Sequence, residues 1–262
     1  MPMRIGLSTS CLYPLPTDES LACLASAGVR EVEIFFNAGC ESRGDVLQTL
    51  CAICRANELR VQAVHPYFSF AESYTLFGIY ARRVQDAMEL YRGLCEACHA
   101  LGCDKLVLHG EKEPFNISEE EYIERFGTLA LQTRRDGVTL TQENVVRFRA
   151  SKPSFLRRMR DELGDLFAMT LDLKQAVRSG EDPLAMAREF APDIVHLHLS
   201  DHGASGDCLP PGSGSFDFEA LFHILRDGGF SGDGVVELYR SCFDEVSAVC
   251  TSAEKLAQIS NI

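Results

Sequence analysis

Apolar residues along the chain follow two alternating spacings, one typical of helices and one typical of strands. Several segments with helical spacing end in glycine or asparagine, and a short apolar run follows after a few polar residues: LASAGVREVEIFF, CRANELRVQAVH, CHALGCDKLVLHG, RDELGDLFAMTLD and LRDGGFSGDGVVELY. Glycine suits the left-handed position that ends a helix, and the next run follows without room for a hairpin. The pattern predicts a repeated helix-then-strand unit.

Eight strands can be counted, near residues 4–8, 31–36, 60–65, 105–109, 138–143, 167–172, 194–200 and 234–238. The predicted helix starts agree with them: Ser118 and Glu121 form a capping box, Asp182 precedes Pro183, and Asp217 precedes FEALFHILRDG. Eight units of about thirty residues predict an α/β fold, a single (β/α)8 TIM barrel domain over residues 1–262.

The competing α/β architecture is an open, doubly wound sheet. No predicted strand is followed by a glycine-rich dinucleotide or nucleotide motif, which such sheets commonly carry. PGSGSF at 211–216 is rich in glycine but follows a long loop, so it is poor evidence for a phosphate cradle. The closed barrel is therefore the favoured architecture.

The charge and composition of the chain argue against nucleic acids and membranes as partners. The formal net charge is −13, and the one basic run, RFRASKPSFLRRMR at 147–160, is interpreted as a solvated helix. We expect no nucleic acid partner, because phosphate backbones would be repelled. The chain has no 18-residue apolar segment, and its first ten residues lack a signal-peptide pattern. We therefore expect a cytoplasmic protein with no membrane contact.

The eleven cysteines are scattered through predicted helices and strands, which favours reduced thiols over a disulfide scaffold. Cys51 and Cys54 form one pair with metal-hook spacing, and Cys95 and Cys98 form another, followed by His99. The same spacing places both thiols of a pair on one helix face, where cysteine packs as a small apolar residue. Packing is the preferred interpretation, with a structural zinc or cluster as the alternative.

The candidate chemistry lies where the predicted strands end. In a barrel, the carboxyl ends of the strands and the loops after them form the active-site face. Seven of the eight strands end in a carboxylate or an imidazole, namely Glu33, His65, His109, Glu143, Asp172, His198 and Glu237. Any one of these has a structural explanation, but together they would crowd one small volume with carboxylates that repel each other. A bound divalent cation would relieve that repulsion.

Four of these residues come from the last four strands and form a candidate metal site: Glu143, Asp172, His198 and Glu237. Three carboxylates and one imidazole suit Mn²⁺, Mg²⁺, Co²⁺ or Zn²⁺. His196 lies two residues before His198 on the same strand face, and we interpret it as a core residue or a partner of the metal ligands. The Asp201 carboxylate would orient either His198 or a loop, and both alternatives stay open. His202 is interpreted as a loop residue.

Eight short motifs occur in the order expected of the xylose isomerase-like TIM barrel superfamily: VEIF, HPYF, VLHG, QENV, LDLKQ, HLHLSD, PGSGSFDF and VVELY. This superfamily contains sugar isomerases and epimerases as well as apurinic endonucleases of the endonuclease IV type. The resemblance spans about residues 4–240. In the isomerase branch it implies one divalent metal on the four candidate ligands and proton transfer through a metal-bound enediolate, with Glu143 and Glu237 as the proton shuttles.

The resemblance also implies residues that bind the substrate, but here the chain agrees less well with the family pattern. Glu33, His65 and His109 would line the pocket and bind substrate hydroxyls, as would Gln175, although these enzymes often have histidine there. They also often have an arginine in the loop after the seventh strand, which DHGASGD lacks. The candidate apolar walls of the pocket are Tyr13, Phe35, Tyr67, Phe68 and Tyr239.

The sequence thus predicts a metal-dependent isomerase or epimerase of a keto sugar or sugar derivative, with a small carbohydrate as substrate and a homodimer as a candidate assembly. A metal-dependent lyase or dehydratase is the main alternative. An endonuclease IV-like enzyme is disfavoured because Gln175 replaces a required zinc-binding histidine. A second metal at His65 and His109 and a non-catalytic sugar-binding barrel are also left open.

Overall fold

A computed structural model describes residues 3–260. Its strands are β1 (Ile5–Ser8), β2 (Glu31–Phe36), β3 (Arg60–Pro66), β4 (Lys105–Leu108), β5 (Thr139–Glu143), β6 (Met169–Asp172), β7 (Ile194–Leu199), β8 (Asp201–Gly203), β9 (Gly206–Leu209) and β10 (Asp233–Val236). β1 to β7 and β10 form a closed barrel, in which β1 pairs in parallel with both β2 and β10. The predicted (β/α)8 barrel and its eight strands are confirmed; residues 1, 2, 261 and 262 of the predicted domain lie outside the described residues.

Helices follow the barrel strands and cover the outside of the barrel. They are α1 (Thr17–Ser26), α2 (Gly44–Ala56), α3 (Ser69–Tyr74), α4 (Ala81–Leu101), α5 (Glu119–Arg135), α6 (Pro153–Leu163), α7 (Leu173–Arg178), α8 (Pro183–Phe190), α9 (Phe218–Asp227) and α10 (Val246–Ile259). Short 3₁₀ turns occupy Thr9–Leu12, Arg149–Ser151, Gly164–Leu166 and Arg240–Cys242. None of the helices within residues 3–260 is long and apolar enough to cross a bilayer.

Local signals in the sequence set where the helices begin. Ser118 Oγ accepts a hydrogen bond from the Glu121 amide at the start of α5, as the capping box predicted. Asp182 and Asp217 likewise cap α8 and α9 with their carboxylates. These caps satisfy backbone amides that have no partner inside the helix, so they fix the helix starts independently of tertiary packing.

One element of the structure was not predicted. β8 and β9 pair antiparallel as a two-stranded ribbon that rises from the end of β7. His202, interpreted as a loop residue, lies in β8 instead, with its ring centroid 5.3 Å from that of Phe216. The ribbon strands contain only three and four residues, which is too short for a recognisable alternation of apolar and polar residues.

Of two interpretations made for residues outside the barrel, the structure supports the one for the cysteines and contradicts the one for the basic run. Cys51, Cys54, Cys95 and Cys98 are buried among apolar residues of α2 and α4, and no cysteine joins a metal-binding group within the described residues. Packing is therefore the better account of these thiols. The basic run at 147–160 is not one solvated helix: Arg149 is buried and its guanidinium lies 2.7 Å from the Glu111 carboxylate.

Candidate active site and metal centre

The seven residues at the strand ends meet at the carboxyl end of the barrel, and all of them are buried. Parallel pairing sets His198 beside Asp172 on one side and beside Val235 on the other. The ligand atoms form three overlapping groups in which all atoms lie within 4.8 Å of one another. The groups are Glu33, His65, His198 and Glu237; His65, His109 and Glu143; and Glu143, Asp172, His198 and Glu237.

The third group contains the four predicted metal ligands, and His198 Nδ1 lies at its centre. This nitrogen is 3.2 Å from Glu143 Oε1, 3.4 Å from Glu237 Oε2 and 3.7 Å from Asp172 Oδ2. Glu143 Oε2 is buried without a hydrogen-bond partner, whereas Asp172 Oδ2 has an ion-pair contact with Lys174 Nζ at 3.2 Å but no hydrogen bond. Orphaned carboxylate oxygens are costly to bury, and three carboxylates with one imidazole suit a hard divalent cation. The residues present therefore fit a metal ion.

The other nitrogen of His198 is held by Glu33. His198 Nε2 and His196 Nε2 each lie 3.0 Å from Glu33 Oε2, and Ser8 Oγ donates to Glu33 Oε1 at 2.9 Å. A carboxylate behind a metal-binding imidazole fixes the tautomer that leaves the opposite nitrogen free as a ligand. Glu33 therefore orients His198, and its oxygens are occupied inside the barrel instead of facing the pocket.

Burial and neighbouring charges shift the pKa values of this cluster in different directions. Burial lowers the pKa of His198, but the adjacent carboxylates, Glu33 foremost, raise it well above its usual range. Burial raises the pKa of Glu33, but the positive charge of His198 and hydrogen bonds from the histidines bring it well below the usual range. The pKa of Glu143 is raised, mainly because the side chain is buried. The carboxylates thus favour a proton on His198, and a bound metal ion would compete with that proton.

Lys174 is a buried residue of the site that sequence reasoning missed. It is the second residue of α7, and its Nζ donates to Glu237 Oε2 at 3.0 Å and lies 3.2 Å from Asp172 Oδ2. The charges of these two carboxylates raise the pKa of Lys174 well above its usual value although burial lowers it. The available signal was its position two residues after the strand-end aspartate.

His65 and His109 lie next to the four candidate metal ligands. Their Nε2 atoms are 2.9 Å apart, and each is within 3.7 Å of Glu143 Oε2. Burial lowers the pKa of His109 well below its usual value, whereas Glu33 and Glu143 raise that of His65 against its burial. The two carboxylates thus favour a proton on His65, whereas burial disfavours a charged His109.

A cavity of about 610 Å³ opens onto this cluster. It is lined by His65, His109, Glu143, Lys174, Gln175 and Glu237, together with the aromatic residues Tyr13, Phe35, Tyr67, Phe70, Phe148 and Tyr239. Four of the five predicted apolar walls are among them; Phe68 is instead buried beside Tyr67. Gln175 Oε1 accepts a hydrogen bond from the Val146 amide at 3.2 Å, which ties the loop after β5 to α7.

Asp201 organises a loop, and the two ring nitrogens of His198 face Glu143 and Glu33 instead. Its carboxylate accepts hydrogen bonds from the backbone amides of His202, Gly212, Gly214 and Phe216 at 2.8–3.0 Å. The glycine-rich segment at 211–216 is consequently wrapped around this carboxylate. Its amides are occupied, so the segment does not form a phosphate cradle.

Comparison with known proteins identifies relatives over nearly the whole chain. An uncharacterized protein of Mycobacterium leprae (strain TN) is 27% identical over 266 residues, covering 91% of this chain and 90% of that protein. The structure of a D-tagatose 3-epimerase-like protein superimposes with a TM-score of 0.81 at 18% identity, covering 98% of this chain and 97% of that one. The structure of 3-keto-D-glucoside 4-epimerase from E. coli gives a TM-score of 0.77 at 19% identity, with 98% and 99% covered.

Two further similarities are of interest. Inosose dehydratase from Clostridium beijerinckii (strain ATCC 51743 / NCIMB 8052) is 31% identical over 103 residues, which cover 29% of this chain and 35% of that protein. A xylose isomerase-like barrel from Mycobacterium smegmatis, solved in complex with magnesium, has a TM-score of 0.73 at 13% identity, covering 99% of this chain and 96% of that one. At such identities the solved structures establish the fold alone. The family model described as xylose isomerase-like TIM barrel matches residues 21–259, and the chain belongs to that family.

Proposed function

We propose that this protein is a divalent-metal-dependent isomerase or epimerase that acts on a keto sugar or a sugar derivative. The main supporting observation is that Glu143 and Glu237 both belong to the candidate group of metal ligands and both line the same cavity. Carboxylates at the wall of this cavity can serve as the base and the acid of proton transfer next to a substrate carbonyl. The sugar epimerase structures of the same fold are consistent with this choice of substrate.

In this proposal the metal is held by His198 Nδ1 and by carboxylate oxygens of Glu143, Asp172 and Glu237. When bound, it would act as a Lewis acid that makes the hydrogen beside the carbonyl easier to remove. Asp172 is fixed for this role by its neighbours. Asn144 brackets its backbone with two hydrogen bonds, of 2.8 and 3.0 Å, and the Gln175 amide donates to Asp172 Oδ1 at 2.8 Å.

Glu143 and Glu237 are assigned as the proton shuttles. Glu143 ends β5 and Glu237 directly follows β10, and β6 and β7 separate these strands in the barrel, so a substrate held between the two residues presents one face to each carboxylate. Glu237 Oε1 accepts from Ser10 Oγ at 3.2 Å, whereas Glu143 keeps one oxygen without a partner. One carboxylate would remove the α-proton from one face, and the other would return it to the opposite face of the enediolate.

The remaining predicted site residues are assigned to the pocket. His65, His109 and Gln175 line the cavity, and we assign to them the binding of substrate hydroxyls. Glu33 is assigned to the orientation of His198, since its oxygens are already hydrogen-bonded. The predicted homodimer and cytoplasmic location remain predictions.

The experiment is solvent exchange of the α-proton. The Mn²⁺-loaded protein is incubated with a panel of ketoses and keto-sugar derivatives in deuterated water, and loss of the C–H signal is followed by NMR. We expect Glu143→Gln to reduce exchange from one epimer, and Glu237→Gln from the other, by at least about 100-fold, the effect of removing an acid-base group. Glu254→Gln, at an exposed position of α10, is the control. Exchange from both epimers that survives in a site variant would remove that residue from the relay, and no exchange by the metal-loaded wild type would refute the isomerase proposal.

A dehydratase is the second candidate, because a 103-residue segment resembles inosose dehydratase. Removal of an α-proton is common to both reactions, so the same site could serve either. Mass spectrometry of the products separates them: an isomer keeps the mass of the substrate, whereas a dehydratase product has lost one water. The same samples, analysed for metal content, would show a second equivalent if His65 and His109 also bind an ion.

A further inference from the structure

Lys174 occupies a position in the site that neither the ligand set nor the proton relay explains. Its side chain is 3% exposed, and its Nζ lies between Glu237 Oε2 at 3.0 Å and Asp172 Oδ2 at 3.2 Å. The ring of Tyr239 covers it with its centroid 5.0 Å from Nζ. Among the described residues that line the cavity, Lys174 is the only lysine or arginine.

The negative charge of the ligand set explains why a positively charged side chain lies here. Glu143, Asp172 and Glu237 carry three negative charges, and a divalent ion leaves one of them uncompensated. Such a site would oppose the new negative charge that a substrate oxygen gains when its α-proton leaves. The ammonium of Lys174 brings the four ligands and their divalent ion to neutrality.

The ammonium also has hydrogen-bonding capacity to spare. It has three N–H donors. One donates to Glu237, and no more than one other is directed at Asp172, which lies in ion-pair contact. The third donor has no carboxylate partner among the described residues, and the side chain lines the cavity. The two carboxylates compensate the cost of burying the charge and hold the side chain in one place, so the third donor is positioned before the substrate arrives.

We propose that Lys174 is a catalytic residue that donates a hydrogen bond to the substrate oxygen on which negative charge develops. This role rests on the proposed function. In the step, the C–H bond breaks and its proton passes to Glu143 or Glu237. The C–H electron pair forms the new C=C bond, the C=O π pair moves onto oxygen, and the Lys174 N–H stabilises that oxygen. No oxidant or further reactant is needed.

The test compares a charged and an uncharged ligand on the Mn²⁺-loaded protein by calorimetry. Glycolohydroxamate serves as a small analogue of an enediolate, and dihydroxyacetone as the neutral ketose. We expect Lys174→Met to weaken glycolohydroxamate binding at least tenfold more than dihydroxyacetone binding. Mn²⁺ itself should bind as tightly or more tightly, because one repelling charge is gone. Lys174→Arg should recover part of the discrimination, and Lys152→Met, at an exposed lysine, should match the wild type.

A structural role for Lys174 predicts a different outcome. If the ammonium only holds Asp172 and Glu237 in place, Lys174→Met weakens Mn²⁺ and both ligands together, and the proposal is overturned. It is also overturned if the wild type does not prefer glycolohydroxamate to dihydroxyacetone. α-Proton exchange separates this proposal from the proposed function. Exchange by the wild type and equally by Lys174→Met refutes the role of Lys174 alone, whereas no exchange by the wild type refutes the isomerase.

Discussion

Glu72 is a buried carboxyl whose ionisation should make the stability of the protein depend on pH. It lies in α3, and Tyr91 Oη donates to its Oε1 at 2.7 Å while the Gly110 amide donates to its Oε2 at 2.5 Å. Burial raises the pKa of Glu72 to about 7 from its usual 4.5, although both hydrogen bonds lower it. The charge of His65 also lowers this pKa and that of Glu143 raises it, but burial has the largest influence.

The sign and size of the effect follow from proton linkage. Between pH 4.5 and about 7 the folded protein binds a proton at Glu72 that the unfolded chain has released. The free energy of unfolding therefore falls as pH rises through this interval. Above about pH 7 the contribution of Glu72 no longer changes with pH. At about 1.4 kcal/mol for each pH unit, the loss comes to about 3 kcal/mol.

Glu72→Gln is the appropriate variant, because glutamine resembles the protonated carboxyl. Its amide oxygen can accept from Gly110, and its NH₂ group can donate to Tyr91 Oη. Urea unfolding at pH 5 and pH 8 should show the variant gaining about 3 kcal/mol relative to the wild type at the higher pH. Glu124→Gln, an exposed position of α5, should show no such change between the two pH values.

The reasoning would be refuted by a stability difference between wild type and Glu72→Gln that is the same at both pH values within about 0.5 kcal/mol. The carboxyl would then have the same protonation at pH 5 and pH 8. Loss of stability in Glu72→Gln at both pH values would instead mean that a carboxylate is needed by Tyr91 and Gly110. Burial would then not be the dominant influence on its pKa.

Three further predictions concern the metal, a loop and a buried ion pair. His198→Ala should abolish the binding of about one equivalent of divalent metal, measured by inductively coupled plasma mass spectrometry after Mn²⁺ loading; full retention would place the ion elsewhere. Gly214→Ala should lower the free energy of unfolding by about 2 kcal/mol in urea titrations, because its Cβ would lie 2.4 Å from Asp201 Oδ1. Arg149→Met should cost about 3–5 kcal/mol in the same assay, because it leaves Glu111 buried without a cation, and an unchanged midpoint would contradict this.

The barrel and the approximate position of its site could be predicted from the sequence. Spacing of apolar residues is a local property, and eight short runs with helical segments between them leave few architectures open. Parallel strands then carry their carboxyl ends to one edge. For this reason His65, His198 and Glu237 could be expected to meet although they are far apart in the chain.

The depth of each side chain in the barrel could not be predicted. Glu33 was expected to face the pocket, but in the β2–β3 pairing it is Phe35, two residues later, that lies level with His65. A register shift between Val32 and Glu33 contributes to this offset. Glu33 therefore lies one layer deeper, against His198. Strand register depends on both partners, so one strand's sequence does not determine it.

The sequence by itself determined the order of elements, the helix caps and the set of polar residues at the carboxyl end of the barrel, because each depends on residues close together in the chain. Only the tertiary structure decided which charges are paired. The contact between Glu33 and His198 spans 165 residues, and that between Lys174 and Glu237 spans 63. Desolvation and Coulomb energies depend on distances of a few ångströms between such residues, and only the packed barrel sets those distances.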